Sequence, residues 1–575
     1  MAKKGKRKLS SKTRNTNFKD RDHLTDTGGE SRASVRDRDC TRSKPNAWQW
    51  YAHSEQLVKD YGSFPFGDPL GSLLPQDTLF YTAQDTDGKF GNVQAAIPGV
   101  CAIKFAPSIG NVNSETDAVN IAMRNIYSYV RHANSGHSNY EGPDLMIYLL
   151  AMDSVYMYHA YMKRLYGVLL DYTPLNRYYP KALVQAMGAN FESLQEHMND
   201  LRGYINQYTV RIGSMCVPNS MSYMARHTWM CEGLYTDSKA AKAQTYFYTP
   251  EYFLQLTSPT ETDPTNFLTY VGLPKNATFE QLIAFGDSLL NPIIINEDMN
   301  IMSGDILKAF GAEGIVKVDG IADGYMVLPM YDSEVLSQIE NCRVLGGSIS
   351  GTITQAIAIG TGYLVSDVTL SAQPLEAFGS EALPSNVNAI KDITNLYEDV
   401  FNGRKILNFH IDGVTPDAVM VATRGIFNAY GWNQNGQYIE TKSFNCGSEI
   451  YTNAHYAWYQ DFVSTGRTQL NEKDVGSIAM MMANGDPNTN LNNGINGLLW
   501  TANMWSVFDW APHILLAYMP FDNSTTAYYH PSTSGIMADY DNYTYLDSVN
   551  VGNLNKVALL SEFSVPQMGT YSLGL

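Results

Sequence analysis

The pattern of apolar and polar positions changes character three times along the chain. Residues 1–44 offer few large apolar side chains, namely Leu9, Phe18, Leu24 and Val35. Burial of so few cannot offset the entropy of ordering, so this segment is expected to be disordered on its own. Residues 45–78 then bring Trp48, Trp50, Tyr51, Phe64 and Phe66 in among prolines and glycines. That mixture predicts an extended arm with aromatic anchors. From residue 114 the spacing turns helical. Ser114 and Asp117 form an N-terminal capping arrangement, and Val119, Ala122, Met123, Ile126 and Val130 fall on one face.

The next helix is different in kind. "DLMIYLLAMDSVYMYHAYMKRLYG" (144–167) has no charged side chain between Leu145 and Met152, then mixes Asp153, His159, Lys163 and Arg164 with tyrosines. Asp144 after Pro143 reads as its N-cap and Gly167 as its end. A helix apolar around most of its girth is expected to be buried on several sides. Further helices are predicted over 190–206, over 278–290 with Thr278 and Gln281 as a capping box, and over 303–311, closed by Gly311.

Beyond 311 the runs are short, β-branched and punctuated by glycine. Strands are predicted within 314–331, 348–365, 405–413, 418–427 and 438–444, with helices over 385–402 and 475–485. The fold class is therefore α+β. Its expected parts are a basic arm (1–44), a helix-rich region with an extended N-terminal segment (45–310) and a mixed strand and helix region (311–575).

Charge sharpens this division. Residues 1–19 carry eight cations and no acid: Lys3, Lys4, Lys6, Arg7, Lys8, Lys12, Arg14 and Lys19. Residues 1–44 hold 14 basic and 6 acidic side chains, leaving 26 basic against 51 acidic in the rest. A cationic leader is tethered to an acidic body. Such a run, without interleaved aromatics, neutralises phosphates and does not read bases. These eight residues are the expected contacts to a polyanion such as a nucleic acid, whereas Asp20, Asp22, Asp26, Asp37 and Asp39 dilute the charge further on. Charged residues make up only 17% of the chain, with 38 tyrosines and 24 methionines. That composition suits either protein–protein contact surfaces or one large core.

Catalytic signatures are sparse. No phosphate loop, HExxH or Gly-Asp-Asp triplet occurs, and "GTGYLV" (360–365) and "GGSISG" (346–351) miss the dinucleotide and nucleophile-elbow patterns. His227 and Cys231 stand four apart with Cys216 upstream, yet no fourth ligand is evident. Glu297, Asp298 and Asp305 read as helix caps before they read as a magnesium or acid–base set. No catalytic residue, metal or cofactor is expected. Six scattered cysteines fit reduced thiols. No apolar run approaches the about 18 residues of a membrane span, so no stable membrane insertion is expected.

The block 144–188, together with "VRHANSGHSNYEGPDL" (130–145), "NEDMNIMSGDILKAFG" (296–311) and "YDSEVLSQIENC" (331–342), resembles picobirnavirus capsid proteins. The resemblance implies a viral coat protein that is not an enzyme. Homodimers would tile a T=1 icosahedral shell of 120 copies around double-stranded RNA. The helix-rich region would form the shell, with a projecting part beyond 311 and the basic arm inside near the RNA. It implies location in the virion, and in the host cytoplasm during assembly. Some family members cleave off an N-terminal peptide, but no residue here allows that property to be transferred. On this view the 144–167 helix packs partly against another subunit. Two alternatives from other classes stay open: an RNA-binding nucleoprotein that builds no shell, and a glycan-binding protein using the Tyr-, Asn- and Trp-rich stretch 428–545.

Overall fold

A computed structural model describes residues 51, 54–63, 83–84, 90–91, 98–134, 136, 140–173, 176–239, 243–258, 265–358, 361–372, 393–435, 438–462, 467–483, 507–520 and 532–564. The chain divides into two compact units, Met1–Asp68 and Pro69–Leu575. In the first, α1 (Glu55–Gly62) is started by Ser54, whose hydroxyl accepts from the Leu57 N–H, and carries a Glu55–Lys59 ion pair one turn apart at 2.8 Å. An extended arm was expected here, but alternating Glu, Leu, Val and Lys at helical spacing wins locally. Trp48, Trp50, Phe64 and Phe66 lie outside the described residues, as do all of residues 1–44.

The second unit is α+β. A five-stranded sheet runs in the order Arg467–Val475, Glu449–Phe462, Pro98–Pro107, Thr245–Pro250 and Tyr235–Thr236. It is antiparallel except where Pro98–Pro107 meets Thr245–Pro250. A six-stranded antiparallel sheet runs Asn433–Asn435, Tyr438–Thr441, Thr361–Ala372, Gly347–Ala358, Phe267–Gly272 and Tyr252–Thr257. Both sheets take strands from either side of residue 311. A smaller sheet joins Ile478–Ala483 in parallel to Ile514–Pro520, and that strand antiparallel to Ser532–Met537.

Among the described residues, the helices of this unit are α2 (Ala118–Ala133), α3 (Gly142–Leu169), α4 (Tyr178–Ala186), α5 (Phe191–Glu196), α6 (Met198–Ile212), α7 (Ser222–Met230), α8 (Phe279–Ile295), α9 (Glu297–Phe310), α10 (Ser333–Asn341), α11 (Ile393–Asn402), α12 (Pro416–Ala422) and α13 (Ser548–Glu562). In α2 the five predicted apolar positions are all buried, but the cap is Asp117, whose carboxylate turns back to accept from Asn113 and Ser114 N–H. In α3 the N-cap is Glu141, with Asp144 at the third position accepting from the Glu141 N–H at 2.9 Å. The expected 190–206 helix is broken at His197 into α5 and α6.

Helix α3 is the centre of the core. Of its 28 residues, 26 are buried, enclosed by α2, α6, α7, α8 and the Tyr252–Thr257 strand. Because the enclosing elements belong to the same chain, no face of α3 is left for another subunit, which corrects that expectation. Its tyrosines donate to carbonyls on separate elements: Tyr148 to Cys216 at 2.9 Å, Tyr158 to Leu282 at 2.6 Å, Tyr161 to Met187 at 2.9 Å and Tyr166 to Asp323 at 3.1 Å. Each ring fills volume and each hydroxyl satisfies a buried carbonyl. Gly167 admits the strap that crosses the end of the helix, since a Cβ there would lie 2.6 Å from the Val327 side chain.

Candidate functional site

Helix α3 carries its polar groups into a buried charged spine. Asp153 Oδ2 meets His227 Nδ1 at 2.8 Å, with both side chains fully buried, and His227 Nε2 reaches the Ser448 carbonyl at 3.2 Å. Burial alone would lower the imidazole pKa, but the Asp153 carboxylate and then Glu449 outweigh it and hold it up. Burial pushes the Asp153 carboxyl up as well. The Ser448 carbonyl only accepts, so Nε2 carries a proton, and a second proton is shared between Nδ1 and Asp153 Oδ2.

The spine continues through Arg226, whose Nε and Nη2 both donate to Glu449 Oε1, the former at 3.0 Å. Ser448 donates to the other Glu449 oxygen. Burial opposes ionisation of Glu449, yet Arg226 keeps it below the ordinary carboxylate range. Arg424 stands 3.7 Å from Glu562 at the end of α13. The spine thus ties α3, α7, the Glu449–Phe462 strand, the end of α12 and α13 together.

A second node lies on α10. His410 Nε2 meets Glu340 Oε2 at 3.0 Å, its Nδ1 meets Asp541, and its ring stands edge-on to Trp510 at 4.1 Å. Asn408 donates to Glu340 and accepts from the Asp541 and Asn542 N–H groups. The hydrogen bond to Glu340 raises the His410 pKa to about 9, against the opposing effect of burial. A folded value above the ordinary 6.5 gives a contribution that is complete below about pH 6.5 and lost as pH rises through about 9. Partial exposure reduces that contribution to about 1 kcal/mol. Nearby Lys405, lowered by burial to about 7, acts in the opposite sense, so the comparison must be between variants. The unfolding temperature of the native chain is expected to fall more between pH 7 and pH 10 than that of His410→Ala. Parallel curves would show that the node carries no charge.

The expected chemical candidates are placed elsewhere. His227 is saturated by Asp153 and Ser448 and has no free nitrogen for a metal. No group of three His, Cys, Asp or Glu among the described residues is placed to hold a metal ion. Asp305 is not a cap: it lies inside α9 and accepts from the Tyr140 hydroxyl at 2.8 Å. The cap is Asn296, which accepts from Asp298 and Met299, with Glu297 and Asp298 in the first turn where the helix dipole favours them. Gly311 closes α9 at φ 72°. Lys3, Lys4, Lys6, Arg7, Lys8, Lys12, Arg14 and Lys19 lie outside the described residues.

One surface feature went unnoticed in the sequence. Arg177, Tyr178 and Lys181, at the start of α4, open on a cleft of about 540 Å³ that Tyr459 also lines. The signal was "NRYYPK" (176–181), two cations around a pair of tyrosines in an otherwise acidic body.

Comparison with known proteins completes the description. The family model described as picobirnavirus capsid protein matches residues 50–432. The capsid protein precursor of a human picobirnavirus (strain Human/Thailand/Hy005102/-) is 30% identical over 582 residues, covering 98% of this chain and 97% of that relative. The fold matches a solved structure titled "X-ray crystallographic structure of the picobirnavirus capsid" at TM-score 0.70 and 21% identity, covering 90% of this chain and 98% of that one.

Proposed function

The chain belongs to the picobirnavirus capsid protein family, and from that premise we propose that its copies pair as homodimers and close into a T=1 icosahedral shell of 120 copies around double-stranded RNA. As a capsid protein it is a structural component of the virion that assembles with itself. The observation that carries the finer reading is the match along nearly the full chain to a capsid precursor, joined to the segregation of charge. A body with 51 acidic and 26 basic side chains repels RNA, and residues 1–19 supply eight cations that reverse the sign locally.

In this proposal residues 1–44 face the genome, residues 45–310 contribute most of the shell and residues 311–575 include the projecting part. Assembly takes place in the host cytoplasm. No helix among the described residues is long and apolar enough to cross a membrane.

Expression of the chain alone tests the shell: negative-stain microscopy should show closed, regular particles, and only monomers or small oligomers across a range of salt would overturn it. The arm is tested by deleting residues 2–19. Particles should still form but carry several-fold less co-purified nucleic acid. The log–log salt slope of RNA binding should lose up to about 7, at about 0.9 per phosphate neutralised. Unchanged RNA content would move the anchor elsewhere.

A further inference from the structure

The cleft at the start of α4 combines three features that ask for one ligand. Its walls are aromatic: Tyr178, 45% exposed, packs edge-to-face against Tyr459 at 5.0 Å, and Tyr172 packs on Phe191 at 5.3 Å. Tyr459 is fixed by donating to the Tyr178 carbonyl at 2.8 Å. Its charge is cationic on balance. Lys181 pairs with Glu192, which stays ionised because of that contact, whereas Arg177 is exposed and enters no ion pair among the described residues. Arg177 is also the N-cap of α4, with no side-chain capping bond at that helix start. Finally, Gln185 lines the same cleft, and its Oε1 is buried with no hydrogen-bond partner. A buried acceptor left unmade is costly, and turning the half-buried side chain into the cleft, where a ligand N–H can meet it, relieves that cost.

We propose that this cleft binds a nucleotide: an amino-bearing base stacked on the exposed Tyr178 ring, its exocyclic N–H donated to Gln185 Oε1 as that side chain turns into the cleft, and its phosphate held by Arg177. A neutral sugar would leave Arg177 unused, and a simple anion would leave the aromatic walls and Gln185 unused. The volume of about 540 Å³ is in the range of small-ligand sites. The same chemistry is presented by a free mononucleotide and by a residue of single-stranded RNA. A duplex presents it poorly, because its bases are already stacked and paired. The site is independent of the basic arm, which neutralises phosphates without contacting bases.

Calorimetric titration of the full chain at 0.5 M NaCl, where arm contacts are screened, tests the assignment with adenosine monophosphate, inosine monophosphate, ribose 5-phosphate and inorganic phosphate. The adenosine nucleotide should bind at least about fivefold more tightly than ribose 5-phosphate, since stacking alone is worth about that much. Inosine monophosphate, without the exocyclic amine, should bind more weakly than the adenosine form, and Gln185→Leu should erase that difference. Arg177→Ala and Tyr178→Ala should each weaken binding at least about fivefold, with Tyr178→Phe restoring it. Displacement of the mononucleotide by an adenylate octamer identifies single-stranded RNA as the source. Binding without such displacement identifies the free nucleotide. Equal affinity for all four probes would overturn the proposal. So would variants that bind as the native chain does, or an Arg177→Ala chain that loses particles but keeps nucleotide affinity, which would assign the cleft to a subunit contact.

Discussion

Replacing Glu449 by Leu is expected to destabilise the folded chain by about 3–5 kcal/mol, the cost of removing one partner from a buried ion pair. The Glu449 side chain has no exposed surface and that of Arg226 is 15% exposed. The change strands Arg226 against Trp229, whose ring lies 5.8 Å from the guanidinium, and leaves the Ser448 hydroxyl without its acceptor. It also withdraws one of the three anions, with Asp153 and Glu562, that raise the His227 pKa. The midpoint of urea unfolding should fall accordingly. The double variant Glu449→Leu with Arg226→Leu should recover part of the loss, because it removes the uncompensated charge along with its partner. If the double variant were as unstable as the sum of the singles, the pair would be contributing through packing, and the spine would not be electrostatic.

This spine shows what a sequence can and cannot disclose. Helix α3 was legible because nearly every position in it is apolar or aromatic, and burial on all sides follows directly. The α2 face, the Thr278–Gln281 capping box of α8 and the strand character of 348–365 were legible for similar local reasons, but not the hairpin of Gly347–Ala358 with Thr361–Ala372 that this run belongs to. Asp153 and His227 are 74 residues apart and Arg226 and Glu449 are 223 apart, so no local spacing reveals their pairing. The composition left contact surface and large core undecided between them. Tyr148, Tyr158, Tyr161, Tyr208, Tyr223, Tyr246, Tyr248, Tyr397, Tyr451 and Tyr456 are among the largest fully buried side chains, so many of the tyrosines serve the core.

The misread elements have two physical causes. Residues 475–485 looked helical because Ala and Met favour helices, but Ile478–Ala483 is a strand, held in parallel register by Ile514–Pro520. Residues 418–427 looked like a strand from their valines. The stronger signal was Thr415 followed by Pro416, an N-cap and a proline at the first helical position, which starts α12. The stretch 314–331 contains no strand. Its amides bond one at a time to scattered partners, Val316 to Val217, Val327 to Gly167 and Met330 to Leu234, so it is a strap across the helices and builds no ladder. Tertiary partners decided the first and third cases, and local capping the second.

Truncation of Tyr158 to Ala is expected to cost about 3–5 kcal/mol, the range for emptying a large aromatic site in a tight core. The ring is fully buried and meets Tyr161, Tyr208, Phe253 and Phe285 at 5.5–6.0 Å between centroids. Tyr158→Phe removes only the 2.6 Å bond to the Leu282 carbonyl and should cost about 0.5–1.5 kcal/mol, so most of the loss is volume. Crowding at this point is set by Gly286 of α8. A Cβ there would fall 2.6 Å from Tyr158 Cε1 and 2.5 Å from the Tyr204 hydroxyl oxygen, so Gly286→Ala should destabilise the native chain by overpacking, about 1–3 kcal/mol. Nearby Pro292 removes the amide that would bond the Ser288 carbonyl, and Gln255 supplies the replacement at 2.9 Å; this holds α8 in place while the tyrosines pack on it. In the Tyr158→Ala background the added methyl enters space the ring has vacated. The two substitutions together should therefore cost less than their sum by about 1 kcal/mol or more in urea unfolding. Strict additivity would mean that α8 moves away from α3 when either site is altered, and that the tyrosine cluster does not set the distance between the two helices.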